Sequence, residues 1–324
     1  MKENWERTKP LYTLSKKEIE ELLQSFMSNK KLESAELLGG GLVNSNYKLQ
    51  IESLENPLVL RISNEKNCKL ENSLHRKLHK HLPVPEIYYS EIQGNQSFSI
   101  MEWREGIQLK KIMYSNDINA IKQSAFSVGS WLSEIRKNTF KESGFFNEDL
   151  EVNDPLKITP NSFLSFMEGF LFDGHTSHWL GKELTSELWE FALKNNHYLY
   201  NIDESPALVH SDYNGLNILI SENKEQCKVT GIIDWEFAFA GPVHVDIGNM
   251  LRYENFPHID VFEHAFIEGL QSGGVILQQE WKRISKLVDL VSLCDLLNNS
   301  YIGANRVKDI KQLISQTISN WKDY

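Results

Sequence analysis

One stretch constrains the fold of this chain more than any other: Leu208 to Glu236, LVHSDYNGLNILISENKEQCKVTGIIDWE. Two apolar runs within it, Ile218-Leu219-Ile220 and Val229 to Ile233, have strand composition, and the polar segment Ser221 to Lys228 reads as the reversal between them. The loop before the first strand carries His210, Asp212 and Asn217, and the second strand ends on Asp234. A hairpin would bring two carboxylates and an amide to adjoining loops. Oxygen donors of this kind suit magnesium, which keeps several waters in its shell.

The rest of the chain supplies a frame. Ser15-x-x-Glu18 is a capping box, and Ile19, Leu22, Leu23, Phe26 and Met27 follow at helical spacing. Ala35 to Leu49, AELLGGGLVNSNYKL, reads as a hairpin whose glycine turn can approach a ligand closely. Leu58 to Ile62 reads as a buried strand carrying Arg61, and Cys68 to His81 as a helix with Leu70, Leu74 and Leu78 on one face. His75 and His79 lie one turn apart on that helix without an HExxH pattern, and a solvated face is expected there. Ser97 to Trp103 reads as a strand broken by Arg104-Glu105-Gly106. Ile118, Ile121, Ala125, Val128, Leu132 and Ile135 mark a long core helix, and Asn138 to Pro160 reads as loop.

The pattern His210-x-Asp212-x4-Asn217, followed by Ile233-Asp234-Trp235-Glu236, resembles the protein-kinase-like fold in its aminoglycoside phosphotransferase and choline kinase branch. Protein kinases carry H-R-D-x4-N and then D-F-G. Here Ser211 replaces the arginine and Trp-Glu replaces Phe-Gly, which points to the small-molecule branch. The resemblance implies an α+β, bilobal fold. The smaller lobe, residues 1–102, would hold an antiparallel sheet with one or two helices and bind nucleotide. The larger, mainly helical lobe, residues 103–324, would carry catalysis and the acceptor.

The same resemblance implies roles. Asp212 becomes the catalytic base, and Asn217 and Asp234 the ligands of Mg2+. Gly40, Gly41, Asn44, Ser45 and Asn46 become the loop over the phosphates of ATP or GTP. Arg61 stands where protein kinases place a lysine, so it either holds phosphate or pairs only with a helix glutamate, for which Glu71 is placed. Glu102 and Trp103 fall at the adenine hinge. His210 braces the catalytic loop, and Asp246 holds that loop by backbone hydrogen bonds. Only eleven residues separate Asp234 from Asp246, too few for the activation segment of a protein kinase.

Composition narrows the partners. The net charge is −10, and the whole excess lies beyond residue 102, where 30 acidic residues face 20 basic ones. An acidic surface disfavours nucleic acid and steers cations inward. A cationic, hydroxylated acceptor of aminoglycoside type is therefore the first expectation. Choline, ethanolamine and other metabolites are alternatives, as is a catalytically silent nucleotide-binding module of the same fold. Cys68, Cys227 and Cys294 are far apart, so neither disulfide framework nor zinc site is expected. The charged N-terminus and the lack of any long apolar run suggest a cytoplasmic protein without a membrane partner. Monomer and dimer remain open.

Overall fold

The computed structural model describes the chain except Met1, Asn29, Gly40, Asp203, Glu204, Lys224 and Glu225, and leaves aside the side chains of Glu3, Glu65, Lys66 and Asn67. The first helix, α1 (Lys16–Phe26), begins where the capping box predicts. Ser15 accepts from the Glu18 amide, and Glu18 returns the bond to the Ser15 amide. Ile19 and Leu23 bury its inner face.

A five-stranded antiparallel sheet follows, built from β1 (Leu32–Leu38), β2 (Ser45–Ile51), β3 (Leu58–Asn64), β4 (Ile87–Gln93) and β5 (Gln96–Glu102), in the order β1-β2-β3-β5-β4. Tyr47, Leu49, Leu60, Ile62, Phe98 and Ile100 form its core with α1. The helix α2 (Glu65–Leu78) lies between β3 and β4 in the chain. Its Leu74 and Leu78 join a core shared with the larger lobe.

Beyond Glu102 the chain is mainly helical, with β6 (Ile107–Gln108), α3 (Leu109–Met113), α4 (Ile118–Arg136), β7 (Gly144–Phe146), β8 (Val152–Pro155), α5 (Pro160–Glu168), α6 (Thr176–Leu180) and α7 (Lys182–Asn195). Then come β9 (Ala207–Val209), β10 (Ile218–Ile220), β11 (Val229–Ile232), β12 (Phe239–Gly241), α8 (His244–Met250), α9 (Ile259–Ser272), α10 (Trp281–Leu297) and α11 (Ala304–Ser319). The fold is thus α+β and bilobal, with the small lobe carrying the antiparallel sheet. Among the described residues no helix is long and apolar enough to cross a membrane.

Two features position the site. The hairpin β10–β11 is present and adds β6 on its open edge. Helix α4 packs along α9 at backbone distance, because Gly129 and Gly269 face carbonyls of the opposite helix and leave no room for a Cβ. That rigid pair supports the loop after β9, where the Tyr213 hydroxyl donates to Val128 O at 2.9 Å. The region 138–160 differs from the expected loop. It contains β7 and β8, and β7 is paired with β12 through Gly144 and Ala240. That pairing partner is almost a hundred residues away, so local pattern carried no sign of it.

Candidate active site

The loop between β9 and β10 is held in a strained conformation. Ser211 has φ 66° and Asp234, at the end of the hairpin, has φ 71°. Such angles are unfavourable for residues other than glycine and persist only when neighbours enforce them. The enforcing group at Ser211 is Asp246, fully buried on α8. Its Oδ2 accepts from the His210 amide at 2.9 Å and its Oδ1 from the Ser211 amide at 2.8 Å. Burial pushes the Asp246 carboxyl up to about 7, against the pull of those two amides.

His210 ties the two loops together. Its Nδ1 accepts from the Asp212 amide at 3.2 Å, so Nε2 is the protonated nitrogen and donates to Ile233 O at 3.0 Å. The ring lies 4.5 Å from that of Trp235, which is fully buried and donates to Ile232 O at 3.0 Å. Burial lowers the pKa of His210, which favours this neutral form. The ring is fully buried between the two loops that it joins.

Asp212 sits at the mouth of the cleft. Its Oδ1 accepts from Asn214 Nδ2 at 2.9 Å and its Oδ2 from Asn217 Nδ2 at 2.8 Å. The Lys2 ammonium also pairs with Oδ1. Burial alone would raise this carboxyl, but the charge and hydrogen bond of Lys2 bring it below the usual range. Asn217 spends its amide nitrogen on the main-chain oxygen and the carboxylate of Asp212. Its carbonyl oxygen is thereby the end turned away from Asp212, as an oxygen ligand requires.

Opposite Asp212, a cation from the sheet meets three acids. Arg61 Nη2 lies 2.6 Å from Asp234 Oδ1, 3.2 Å from Glu71 Oε1 and 4.0 Å from Glu236 Oε1. Burial would lower the Arg61 pKa, but the acids more than reverse this and hold the guanidinium charged. Burial would likewise raise Glu71, and Arg61 brings it below its ordinary value. Arg61 Nε is buried and has no hydrogen-bond partner among the described residues. Glu236 also accepts from Asn44 Nδ2 at 3.2 Å, which joins the glycine turn to the loop after β11.

The structure therefore gathers Asp212, Asn217, Asp234, Arg61, Glu71 and Asn44, on loops that the fully buried His210 and Asp246 hold. Gly41 makes the turn before Asn44 tight, since a Cβ there would stand 3.0 Å from Asn44 O. Gly40 lies outside the described residues. Asn46 is paired with Arg61 across β2 and β3 and so shares its face of the sheet. Ser45 is placed on the other face, its hydroxyl accepting from the Tyr12 amide at 2.9 Å, and the structure does not bring it to the cleft.

At the hinge, the Glu102 amide is spent on Glu86 O at 2.8 Å, and its carboxylate pairs with Arg104 at 2.8 Å. Trp103 lies under the Lys48 ammonium, 4.2 Å from its ring centroid. The expected solvated face of α2 is wrong for His75. That residue is buried, with Nδ1 2.7 Å from Pro85 O and Nε2 3.7 Å from Glu71, because the Pro83-Val84-Pro85 segment folds over it.

Sequence reasoning passed over three groups. Asn214 stood in the quoted loop and could have been read as a second amide beside Asp212. Lys2 and Arg7 had no signal, since both reach the cleft from the far end of the chain.

Several solved structures share this fold. An aminoglycoside phosphotransferase, APH(4)-Ia, superposes with a TM-score of 0.71 at 14% identity, over 94% of this chain and 99% of its own. A GDP and kanamycin complex of APH(2")-IIia gives 0.69 at 18% identity, over 94% and 99%. A streptomycin–ATP–APH(2")-IIa ternary complex gives 0.61 at 16% identity, over 95% and 99%. At these identities the likeness speaks for fold alone. No curated protein matches the sequence. The model of the phosphotransferase enzyme family, however, matches residues 34–285, spanning the glycine turn, Arg61, the Asp212 loop, Asp234 and Asp246, and the chain belongs to that family.

Proposed function

We propose that this protein is a magnesium-dependent kinase that transfers the γ-phosphate of ATP or GTP to a hydroxyl of a small cationic acceptor, aminoglycosides being the first choice. The observation that carries the reading is the pair of loops that His210 ties together, one bearing Asp212, held by two amide side chains, and the other Asp234, held by Arg61. In this reading residues 1–102 bind nucleotide and residues 103–324 carry catalysis and the acceptor.

Asp212 orients the acceptor hydroxyl and takes its proton as the oxygen attacks the γ-phosphorus, whose bond to the β–γ bridging oxygen breaks and releases the nucleoside diphosphate. Transfer of this type depends on positioning and charge neutralisation more than on covalent help. Asn217 and Asp234 would hold Mg2+, whose chemistry here is to neutralise the phosphate oxygens. The donor set fits: an amide oxygen turned away from Asp212 and a carboxylate with one oxygen on Arg61. Arg61 keeps a permanent positive charge near the phosphates. Gly41 and Asn44 let main-chain amides approach the phosphates. With the Glu102 amide already engaged, a nucleotide base would use the other backbone groups around Trp103.

The test is nucleotide consumption with magnesium against kanamycin, streptomycin, hygromycin B, choline and ethanolamine, with Asp212→Asn alongside. Acceptor-dependent turnover that disappears in the variant supports the kinase and names its acceptor class. A protein that binds nucleotide but phosphorylates nothing, and releases no phosphate, would leave the silent module in its place.

A further inference from the structure

Lys2 touches Asp212 although phosphoryl transfer has no use for an ammonium there. The two residues are 210 positions apart, and their side chains are only 15% and 14% exposed. The segment behind Lys2 is built into the molecule. Trp5 is buried in the core of the larger lobe, its indole nitrogen donating to Asp309 Oδ2 at 2.9 Å, with the Arg306 guanidinium 5.0 Å from its ring. The Glu6 carboxylate accepts from the Asn305 and Arg306 amides at 2.9 and 3.4 Å, on the first turn of α11. Arg7, next in the chain, donates to Gly41 O, to Val43 O at 3.2 Å and to Asn44 O at 3.1 Å, and the Thr8 amide donates to Leu42 O at 3.0 Å. Two consecutive residues of opposite charge therefore hold a helix of the larger lobe and the glycine turn of the smaller one. From that double anchor, Lys2 reaches the catalytic carboxylate.

We propose that residues 2–9 form an intramolecular strap whose Lys2 ammonium occupies the acceptor position on Asp212 and yields to an acceptor that brings an ammonium of its own beside the reacting hydroxyl. The inference rests on the kinase reading above and deepens it. Exchanging one ammonium for another leaves the charge balance at Asp212 unchanged. A neutral alcohol would have to break the ion pair without replacing it, which costs more in a partly buried site than on the surface. The strap thus selects cationic acceptors.

It also keeps water off Asp212 while nucleotide waits. Without it, a water oxygen attacks the γ-phosphorus and the bond from that phosphorus to the β–γ bridging oxygen breaks. The nucleoside diphosphate leaves with the bridging oxygen, the water proton passes to Asp212, and inorganic phosphate is released.

The full chain serves for the test, as wild type, Lys2→Gln and Lys2→Arg. Lysine acylation followed by mass spectrometry compares Lys2 with Lys17, whose side chain is 86% exposed. Lys2 is expected to react about tenfold more slowly in the free protein, and saturating kanamycin or hygromycin B to remove that protection. Phosphate release from Mg-nucleotide without acceptor is expected to rise about five- to tenfold in Lys2→Gln and to stay near wild type in Lys2→Arg.

Lys2 reacting as fast as Lys17 in an active enzyme overturns the strap and leaves the kinase standing. So does protection that neither cation relieves, or unchanged release in Lys2→Gln. No nucleoside diphosphate formed by any of the three proteins, with or without acceptor, sinks the kinase reading and the gating with it.

Discussion

Asp212 and Asp246 are both withdrawn from bulk water and both belong to the frame of one loop, yet their surroundings drive them in opposite directions. Asp212 receives side-chain donors from Asn214 and Asn217 and an ammonium from Lys2, and its carboxyl lies below the usual range. Asp246 receives the main-chain amides of His210 and Ser211 in a fully buried place, and burial pushes it up to about 7. The difference separates two jobs. One carboxylate is kept ionised and reachable. The other holds a backbone in a conformation that Ser211 would not adopt alone.

The largest effect should come from the reachable one. Asp212→Asn is expected to lower transfer by about 10²- to 10⁴-fold, the usual worth of a positioned base. Its melting temperature should stay within a few degrees of wild type. A variant that keeps a tenth of the activity would break the contrast, because Asp212 would then be a structural group like Asp246.

Asp246→Ala should do the reverse and fail first in stability. It leaves two buried amides without an acceptor, and each such orphan costs about 1–3 kcal/mol. Urea unfolding should therefore show a loss of roughly 2–6 kcal/mol. A loss below that range would mean that water or a neighbour takes over the two amides.

A pH series sharpens the comparison further. The Asp246 carboxyl titrates at about 7 in the folded protein against an ordinary 3.8. A raised folded value favours folding fully below pH 4, and that contribution disappears as the pH climbs through 7. Wild type should thus lose on the order of 4 kcal/mol between pH 4 and 7 relative to Asp246→Asn, at most. Parallel stability curves for the two proteins would show that the two amides outweigh burial.

The smallest effect tests the cation opposite. Arg61→Lys keeps the charge but loses the guanidinium whose Nη2 reaches both Glu71 and Asp234. Nucleotide affinity is expected to fall by about fivefold, roughly 1 kcal/mol, read by titration calorimetry. Unchanged affinity would assign Arg61 to Glu71 and Asp234 alone.

Much of this site was legible before any coordinates. Asp212, Asn217 and Asp234 lie within 23 consecutive residues on one hairpin, so spacing alone brings them together. Arg61 and Glu71 could be placed only through the resemblance to the strand lysine and helix glutamate of protein kinases. His75 was misjudged since its burial depends on Pro85, ten residues on, folding back over the helix. The strands β7 and β8 were missed because Gly144 finds its partner at Ala240, and a three-residue strand has no periodicity to detect. The side of the sheet on which Ser45 lies follows from its register with Ile62, which the turn over residues 52–57 between β2 and β3 sets and the residue itself does not.

The sequence by itself determined the chemistry: which carboxylates, amides and cations the chain can offer, and which of them local hairpin and helix geometry must hold together. Tertiary structure decided how each of those groups behaves. Whether an aspartate is ionised depends on its depth and its donors, and both are set by residues distant in the chain. The same applies to Lys2 and Arg7, whose charges are ordinary surface charges in the sequence. Only the packing of Trp5 and the anchoring of Glu6 on α11 turn them into partners of the Asp212 loop and the glycine turn.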